Sequence, residues 1–277
     1  MSKTKSVTPF LKWAGGKRWF VQRHADLLPK TFNRYIEPFL GGGSVFFYLQ
    51  PKQSLLGDTN PDLIAAYSGI KQNWKGVVKS LQYHSRQHSD EHYYSIRDRC
   101  PKESIPRASR MIYLNRTCFN GIYRVNLRGE FNVPRGTKDS VLLDSDRFDQ
   151  MAKLLEGADI RVADFEVLIN DAQAGDFVFA DPPYTVRHNF NGFVKYNEKL
   201  FSWQDQERLA KALIRAKKRG VHILSTNANH SSIRELYDGY GFKLITTSRF
   251  SSIAASSEHR KQFDELIISF TAGDDQS

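Results

Sequence analysis

Residues 34–49 read RYIEPFLGGGSVFFYL. A short apolar segment runs into a proline and three consecutive glycines, and a second apolar run opens at Ser44. The pattern predicts a strand, a glycine turn and a helix. Consecutive glycines let the backbone approach a ligand closely, and the first turn of a helix adds partial positive charge. In an α/β sheet a nucleotide-like cofactor sits at such a turn, outside the carboxyl ends of the strands. The glycines match neither G-x-G-x-x-G nor the G-K-[ST] of a phosphate loop, which argues against a dinucleotide or a nucleoside triphosphate. About twenty residues on, where a nucleotide-binding unit carries its acidic residue, the next strand SLLGD ends in Asp58. A carboxylate there suits both hydroxyls of a ribose.

The same alternation continues outward. NPDLIAAYSGIKQNW reads as a helix with Asn60 as N-cap and Pro61 at its first position. ADIRVADF is a strand. DFVFADPPY is a buried one, because its apolar run is continuous rather than alternating. WQDQERLAKALIRAKKRG is an amphipathic helix stopped at Gly220, and VHILSTN is the strand after it. FKLITTSRF and FDELIISF form a hairpin around the loop SSIAASSEHRKQ. Strands alternating with helices predict an α/β fold whose sheet is mostly parallel and closed by an antiparallel C-terminal strand.

The middle of the chain, from about Lys75 to Leu155, is rich in Arg, His, Tyr and Asn and poor in strand pattern. YYSIRDRC and IPRASRMIYLNRTCFNGIYR read as helices, followed by the turn-rich NLRGEFNVPRG. This reads as a mainly helical insertion at 71–155 between two parts of one α/β domain, 1–70 and 156–277.

Forty basic residues against thirty acidic give a net charge of +10, which favours a polyanionic partner. No stretch reaches the ~18 apolar residues of a membrane span, so nucleic acid is preferred to lipid. Two cysteines, Cys100 and Cys118, are too few for a disulfide framework and indicate a reducing, cytoplasmic setting. MSKTKSVTPF lacks the apolar core of a signal peptide and reads as a short tail.

In FVFADPPYTV, residues 177–186, the apolar run delivers Asp181 to the end of a buried strand. Pro182 and Pro183 stiffen the turn and donate no hydrogen bond. The Asp181 carboxylate and an adjacent carbonyl then make two acceptors with no competing donor, a pair suited to a planar NH₂ group. An aromatic amine is a poor nucleophile because its lone pair is delocalised. Two acceptors on its hydrogens favour a geometry in which that pair points out of the ring plane, and alignment with an electrophile ~3–3.5 Å away supplies the rest. Tyr184 offers a face for stacking. Alone, D-P-P-Y reads equally well as a strand-ending turn. In the N-terminal FLKWAGGKRWF, Lys17 is suited to clamp a ligand carboxylate, the alternative being a basic turn around a packed tryptophan.

Taken in order, these motifs resemble the Dam-type, α-class DNA adenine-N6 methyltransferases nearly end to end, from FLKWAGGK to FDELI. The resemblance implies a Rossmann-like S-adenosylmethionine-dependent methyltransferase fold carrying a target-recognition insertion. It assigns the cofactor, S-adenosyl-L-methionine, to Trp13, Lys17, Glu37, Pro38, Phe39, Gly41, Gly43, Ser44, Asp58, Asp164, Phe165 and Asp181. It makes Asp181, Pro182, Pro183 and Tyr184 the catalytic motif, with Asp181 and the Pro182 carbonyl on the N6 amine and Tyr184 stacked on a flipped adenine. In LNRTCFNGIYRVNLRGEFNVPRG and the first loop it implies contacts to double-stranded DNA from Lys12, Arg116, Phe119, Asn120, Ile122, Arg124, Asn126, Arg128 and Pro134. A phenylalanine wedge opening the stack and an arginine on guanine are the physics such a site needs. GATC is the expected target. Cytosine N4 as acceptor, and a DNA-binding relative without activity, are the rival readings. The expected state is a metal-free monomer, bacterial or phage-encoded, acting on DNA in the cytoplasm, with a partner endonuclease left open.

The loop TVRHNFNGFVKYNEKLFS departs from the family pattern and leaves Phe190, Phe193 and Tyr196 as rival packing groups. His84, His88 and His92 recur every four residues on an expected helix, read as a solvated or DNA-facing side rather than a metal site. Arg249, Arg260 and Lys261 in the C-terminal hairpin suit phosphates, and RAKKRG suits a helix C-terminus.

Overall fold

The computed structural model describes residues 7–126, 128–186, 201–250 and 262–273. In chain order they form α1 (Arg18–Arg23), β1 (Tyr35–Glu37), α2 (Ser44–Leu49), β2 (Ser54–Asp58), α3 (Pro61–Gln87), α4 (Asp90–Arg97), α5 (Ser104–Thr117), α6 (Phe148–Leu155), β3 (Ala158–Val162), α7 (Phe165–Asn170), β4 (Phe177–Ala180), α8 (Trp203–Lys218), β5 (His222–Ala228), α9 (Ser231–Tyr237), β6 (Lys243–Phe250) and β7 (Gln262–Phe270). This is a Rossmann-like mixed α/β fold, mostly parallel, with its antiparallel pairs at the C-terminal end. The N-terminal six residues, most of the loop after Val186 with His188, Phe190, Phe193 and Tyr196, the Arg249 side chain, Arg260 and Lys261 lie outside the described residues.

The chain divides into two units. The first comprises Met1–Ala25 and Leu40–Val162. Its β2 and β3 pair in parallel, with Ser54 opposite Ala158 and Asp58 opposite Val162. Asn60 caps α3 by accepting from the Asp62 and Leu63 amides at 3.0 and 3.2 Å, with Pro61 next, so the helix start follows the sequence. The helix continues past Trp74 to Gln87, bent at Asn73, whose backbone is non-helical. Fully buried Tyr67 packs on Phe10, ring centroids 4.9 Å apart, and on Phe47 at 6.3 Å. Each such side chain removed from water contributes roughly 1.5–3 kcal/mol.

Two expectations for the middle segment are corrected. The predicted helix through Arg124 ends at Thr117, because Cys118 is extended and Asn120 turns left-handed at φ 55°. The chain then doubles back as a hairpin, with bridges Cys118↔Arg135 and Val125↔Phe131. Likewise the three histidines do not share one helix. Ser89 starts α4 by accepting from the His92 amide, so His84 lies on α3, His88 caps it and His92 lies on α4.

The second unit comprises Asp26–Phe39 and Ala163–Ser277. Its strands run in the order β1-β4-β5-β7-β6. All four residues of β4 are buried, as its unbroken apolar run requires. At the strand starts, Arg34 donates from its backbone and its guanidinium to Asp176, which is itself buried. Ser202 and Asp205 form a reciprocal capping box that opens α8, and Leu209 and Leu213 bury its apolar face.

Candidate active site

In the first unit the three-glycine turn is shaped by what lies against it. Gly41 has φ +46°, and a Cβ added there would sit 2.7 Å from Trp13 Cδ1. Gly43, at φ +62°, is the N-cap of α2, and a Cβ there would meet the Tyr67 hydroxyl at 2.8 Å. That hydroxyl donates to the Gly41 carbonyl at 3.0 Å. Glycine is therefore required at both positions by conformation and by space. Ser44 is buried at the start of α2.

Asp58, at the carboxyl end of β2, accepts from the Gly41 amide at 3.2 Å and the Asn60 amide at 3.0 Å. Desolvation raises its pKa from the ordinary aspartate value, against the lowering effect of those backbone donors. Trp13 is half-buried and packs on Tyr123, ring centroids 5.5 Å apart. Lys17 is only 4% exposed, and its Nζ donates to the Gly15 carbonyl at 3.0 Å.

The hairpin that follows α5 carries most of the residues expected to touch DNA. Phe119 is 52% exposed and Ile122 45%, both at its base, and exposed Asn120 lies between them. Lys12 reaches this turn: its Nζ donates to the Asn120 carbonyl, while Asn115 binds both its backbone N–H and its carbonyl, at 2.9 and 2.8 Å. Arg124 is exposed, its Nε donating to Asn132 Oδ1 at 2.9 Å. At the tip Asn126 Oδ1 accepts the Arg128 and Glu130 amides, and Arg128 pairs with Glu130 at 3.4 Å. Pro134 is exposed, and its carbonyl accepts the Phe119 amide.

Arg116 is the exception. It is 8% exposed, and both terminal nitrogens bind Asp146 at 2.7 Å while reaching the carbonyls of Val141 and Phe10. This side chain, expected to face a duplex, ties α5 to the segment before α6. A charge in an amphipathic run does not reveal a carboxylate thirty residues away.

In the second unit β1 delivers Glu37, buried and bound by the Tyr35 hydroxyl at 2.9 Å. Burial first, then the Glu37 charge, holds the Tyr35 phenol far above its ordinary range. Pro38 is buried, and Phe39 stacks on buried Phe165, ring centroids 5.3 Å apart. Asp164 caps α7 by accepting from the Glu166 amide at 2.9 Å, and its Oδ1 also accepts from Arg208 at 2.8 Å. Arg208, a residue of α8 that no sequence motif singled out, lies over the Phe165 ring, 4.8 Å from its centroid.

Asp181 and Tyr184 emerge at the end of β4. Asp181 Oδ1 accepts from the Thr226 hydroxyl at 2.7 Å. The Tyr184 hydroxyl donates to Glu265 Oε2 at 2.8 Å, and the Pro183 carbonyl accepts from Gln206 Nε2 at 3.3 Å. Burial, then the Asp181 and Glu265 charges, drives the Tyr184 phenol well above its ordinary pKa, so it stays a neutral donor. Sequence reading missed Thr226, Asn227, Gln206 and Glu265. The available signal was the polar T-N pair closing an otherwise apolar strand, VHILSTN.

The histidines pack among themselves. His84 Nδ1 lies 3.0 Å from His92 Nε2, His88 Nδ1 lies 2.8 Å from the Tyr113 hydroxyl, and His84 stacks on Tyr113. Among the described residues no group of three or more His, Cys, Asp or Glu side chains is arranged to hold a metal, and no helix is long and apolar enough to cross a membrane.

Residues 13–253 match the model of the D12 class N6 adenine-specific DNA methyltransferases. The chain is 34% identical over 272 residues to the type II methyltransferase M1.LlaDCHI of Lactococcus lactis subsp. cremoris, covering 95% of each protein. It is 33% identical over 287 residues to the type II methyltransferase M.MjaIII of Methanocaldococcus jannaschii, covering 95% of this chain and 99% of the relative. It is 32% identical over 270 residues to the DNA adenine methylase of Haemophilus influenzae, covering 95% and 94%.

Proposed function

The chain belongs to the family of D12 class N6 adenine-specific DNA methyltransferases, and from that premise we propose that it methylates adenine N6 in double-stranded DNA by base flipping, at GATC, with S-adenosyl-L-methionine as donor. The observation that carries the reading is the corner at Asp181: a strand-end carboxylate held by Thr226, beside a proline pair whose tyrosine is anchored at its hydroxyl.

The cofactor suits the residues present. In the first unit, Asp58 offers carboxylate acceptors beside a turn whose glycines leave no side chain over the backbone. Trp13, Gly41, Gly43, Ser44 and Lys17 would hold the cofactor with it, and in the second unit Glu37, Pro38, Phe39, Asp164, Phe165 and Asp181 would do so. Bound there, S-adenosylmethionine supplies a methyl on a positive sulfonium whose charge is lost on transfer, so alignment and amine activation matter more than charge stabilisation. Asp181 and the Pro182 carbonyl accept the two N6 hydrogens, and Tyr184 stacks on the adenine ring.

Residues 71–155 act as the target-recognition segment. Phe119 is the wedge that helps open the stack, Arg124 binds a guanine edge, and Ile122 meets a thymine methyl. Lys12 contacts the outer guanine, and Asn120, Asn126, Arg128 and Pro134 complete the DNA-facing set. The protein acts as a monomer in the cytoplasm.

The test is to incubate the protein with labelled S-adenosylmethionine and a defined plasmid, then map modified bases by single-molecule sequencing. N6-methyladenine confined to GATC is expected. Label entering DNA that contains no adenine, or equal methylation of every single-base variant of GATC, would overturn the reading.

A further inference from the structure

We infer that Thr226 and Asn227, consecutive residues at the end of β5, are positioning residues that hold the Asp181–Tyr184 corner from opposite faces of the sheet, Thr226 directly and Asn227 through Gln206, with Glu265 of β7 holding the Tyr184 hydroxyl beside them. The inference rests on the reading above, in which Asp181 and its neighbouring carbonyl bind the N6 amine.

The register creates the arrangement. β4 and β5 are parallel with Ala180 opposite Ser225, so Asp181 and Thr226 leave the paired region side by side. Carboxylate torsions are soft. A donor 2.7 Å from one oxygen selects one orientation of the Asp181 plane. In the antiparallel pair β5–β7, Thr226 faces Ile267 and Ala228 faces Glu265. Opposed residues share a face and successive residues alternate, which puts Glu265 diagonally beside Thr226 on one side. From there it takes the Tyr184 hydroxyl and fixes the far end of the ring.

Asn227 points to the other side, and its amide orientation follows from its partners. Asn227 Oδ1 accepts from the Ala228 amide at 2.9 Å, so its NH₂ faces Gln206 Oε1, also at 2.9 Å. The Gln206 NH₂ must then face the Pro183 carbonyl. Both amides are fully buried. Buried polar groups are costly unless every bond is made, and when made they select a single geometry. Here two neighbouring residues of one strand impose that selection on the Asp181 carboxylate and the Pro183 carbonyl, while Glu265 fixes the Tyr184 hydroxyl.

The test uses Thr226→Val, Thr226→Ser, Gln206→Met and the control Asp181→Asn in the full chain. It measures single-turnover methylation of a duplex containing GATC, with KM for S-adenosylmethionine and for the duplex, and Tm. Misplacement by an ångström costs on the order of 100-fold in rate, so Thr226→Val and Gln206→Met are expected to slow the methyl-transfer step by roughly 10- to 100-fold. Both KM values should stay within about 2-fold, and Thr226→Ser should restore most of the rate. Unchanged rates in both variants, or losses that appear equally in KM, or no recovery with Thr226→Ser, would overturn the inference. If Thr226→Val fails to fold, Gln206→Met alone decides. An inactive Asp181→Asn alongside unaffected Thr226→Val and Gln206→Met removes only the positioning role, whereas an active Asp181→Asn removes the amine-binding assignment itself.

Discussion

Gly41 donates its backbone N–H to Asp58 Oδ2 at 3.2 Å, and the same glycine lies against the Trp13 ring with its backbone at φ +46°. One residue thus orients a carboxylate and leaves room for an indole. Gly41→Ala is expected to cost roughly 1–2 kcal/mol in backbone strain and to displace Trp13. It should weaken S-adenosylmethionine binding by at least about 10-fold, which a shift of 1.4 kcal/mol suffices to produce. Calorimetric titration checks it, and wild-type affinity would refute the assignment of this turn to the cofactor.

Buried Arg116 and mostly buried Asp146 share a bidentate pair. Removing one partner leaves the other charge uncompensated, so Arg116→Ala should destabilise the fold by about 3–5 kcal/mol. Denaturant unfolding measures this. Where the variant remains folded, the salt dependence of its duplex binding should match the parent's, because the guanidinium is committed to Asp146. A clearly shallower slope would return Arg116 to the DNA-binding set.

Arg124 is exposed and steadied by Asn132. Arg124→Ala should lower discrimination at one guanine of the target by roughly 1–3 kcal/mol. Asn132→Ala, which removes the Oδ1 acceptor of Arg124 Nε but keeps the Asn132 carbonyl that its terminal nitrogen also reaches, should give a smaller loss at the same position. Methylation rates on the single-base variants of GATC measure both, and loss spread evenly over all positions would point to a phosphate contact.

His84 is buried among aromatic rings. Burial, helped by the charges of His92 and Arg99, pulls its pKa from the usual 6.5 to about 4. The unfolded chain therefore binds this proton more readily than the folded one. Stability from this group is complete above pH 6.5, falls as pH drops from 6.5 toward 4, and changes no further below that. The loss should be on the order of 2 kcal/mol. Replacing His84 by Gln should flatten the stability profile in that window, and an unchanged slope would contradict the packing of His84 as neutral.

Much of the fold was legible because it is written locally. Strand periodicity, the glycines after β1, the Asn60–Pro61 helix start and the proline pair after β4 each act through their own backbone dihedrals and near neighbours, so residues 34–58 and 177–184 could be read directly. The end of α5 was missed because an amphipathic pattern continues past Thr117, while the turn that stops the helix depends on one left-handed asparagine. The histidine row was misread for a similar reason, since a serine cap interrupts the four-residue period.

Sequence by itself determined the order of elements and which chemical groups stand at the strand ends. Only the tertiary structure decided what each group touches. Arg116 finds Asp146, Asp181 finds Thr226, and Tyr184 finds Glu265, eighty-one residues away. Strand register and helix packing set those partnerships, and both follow from burying apolar area over the whole unit, a cooperative sum that no short stretch of sequence contains.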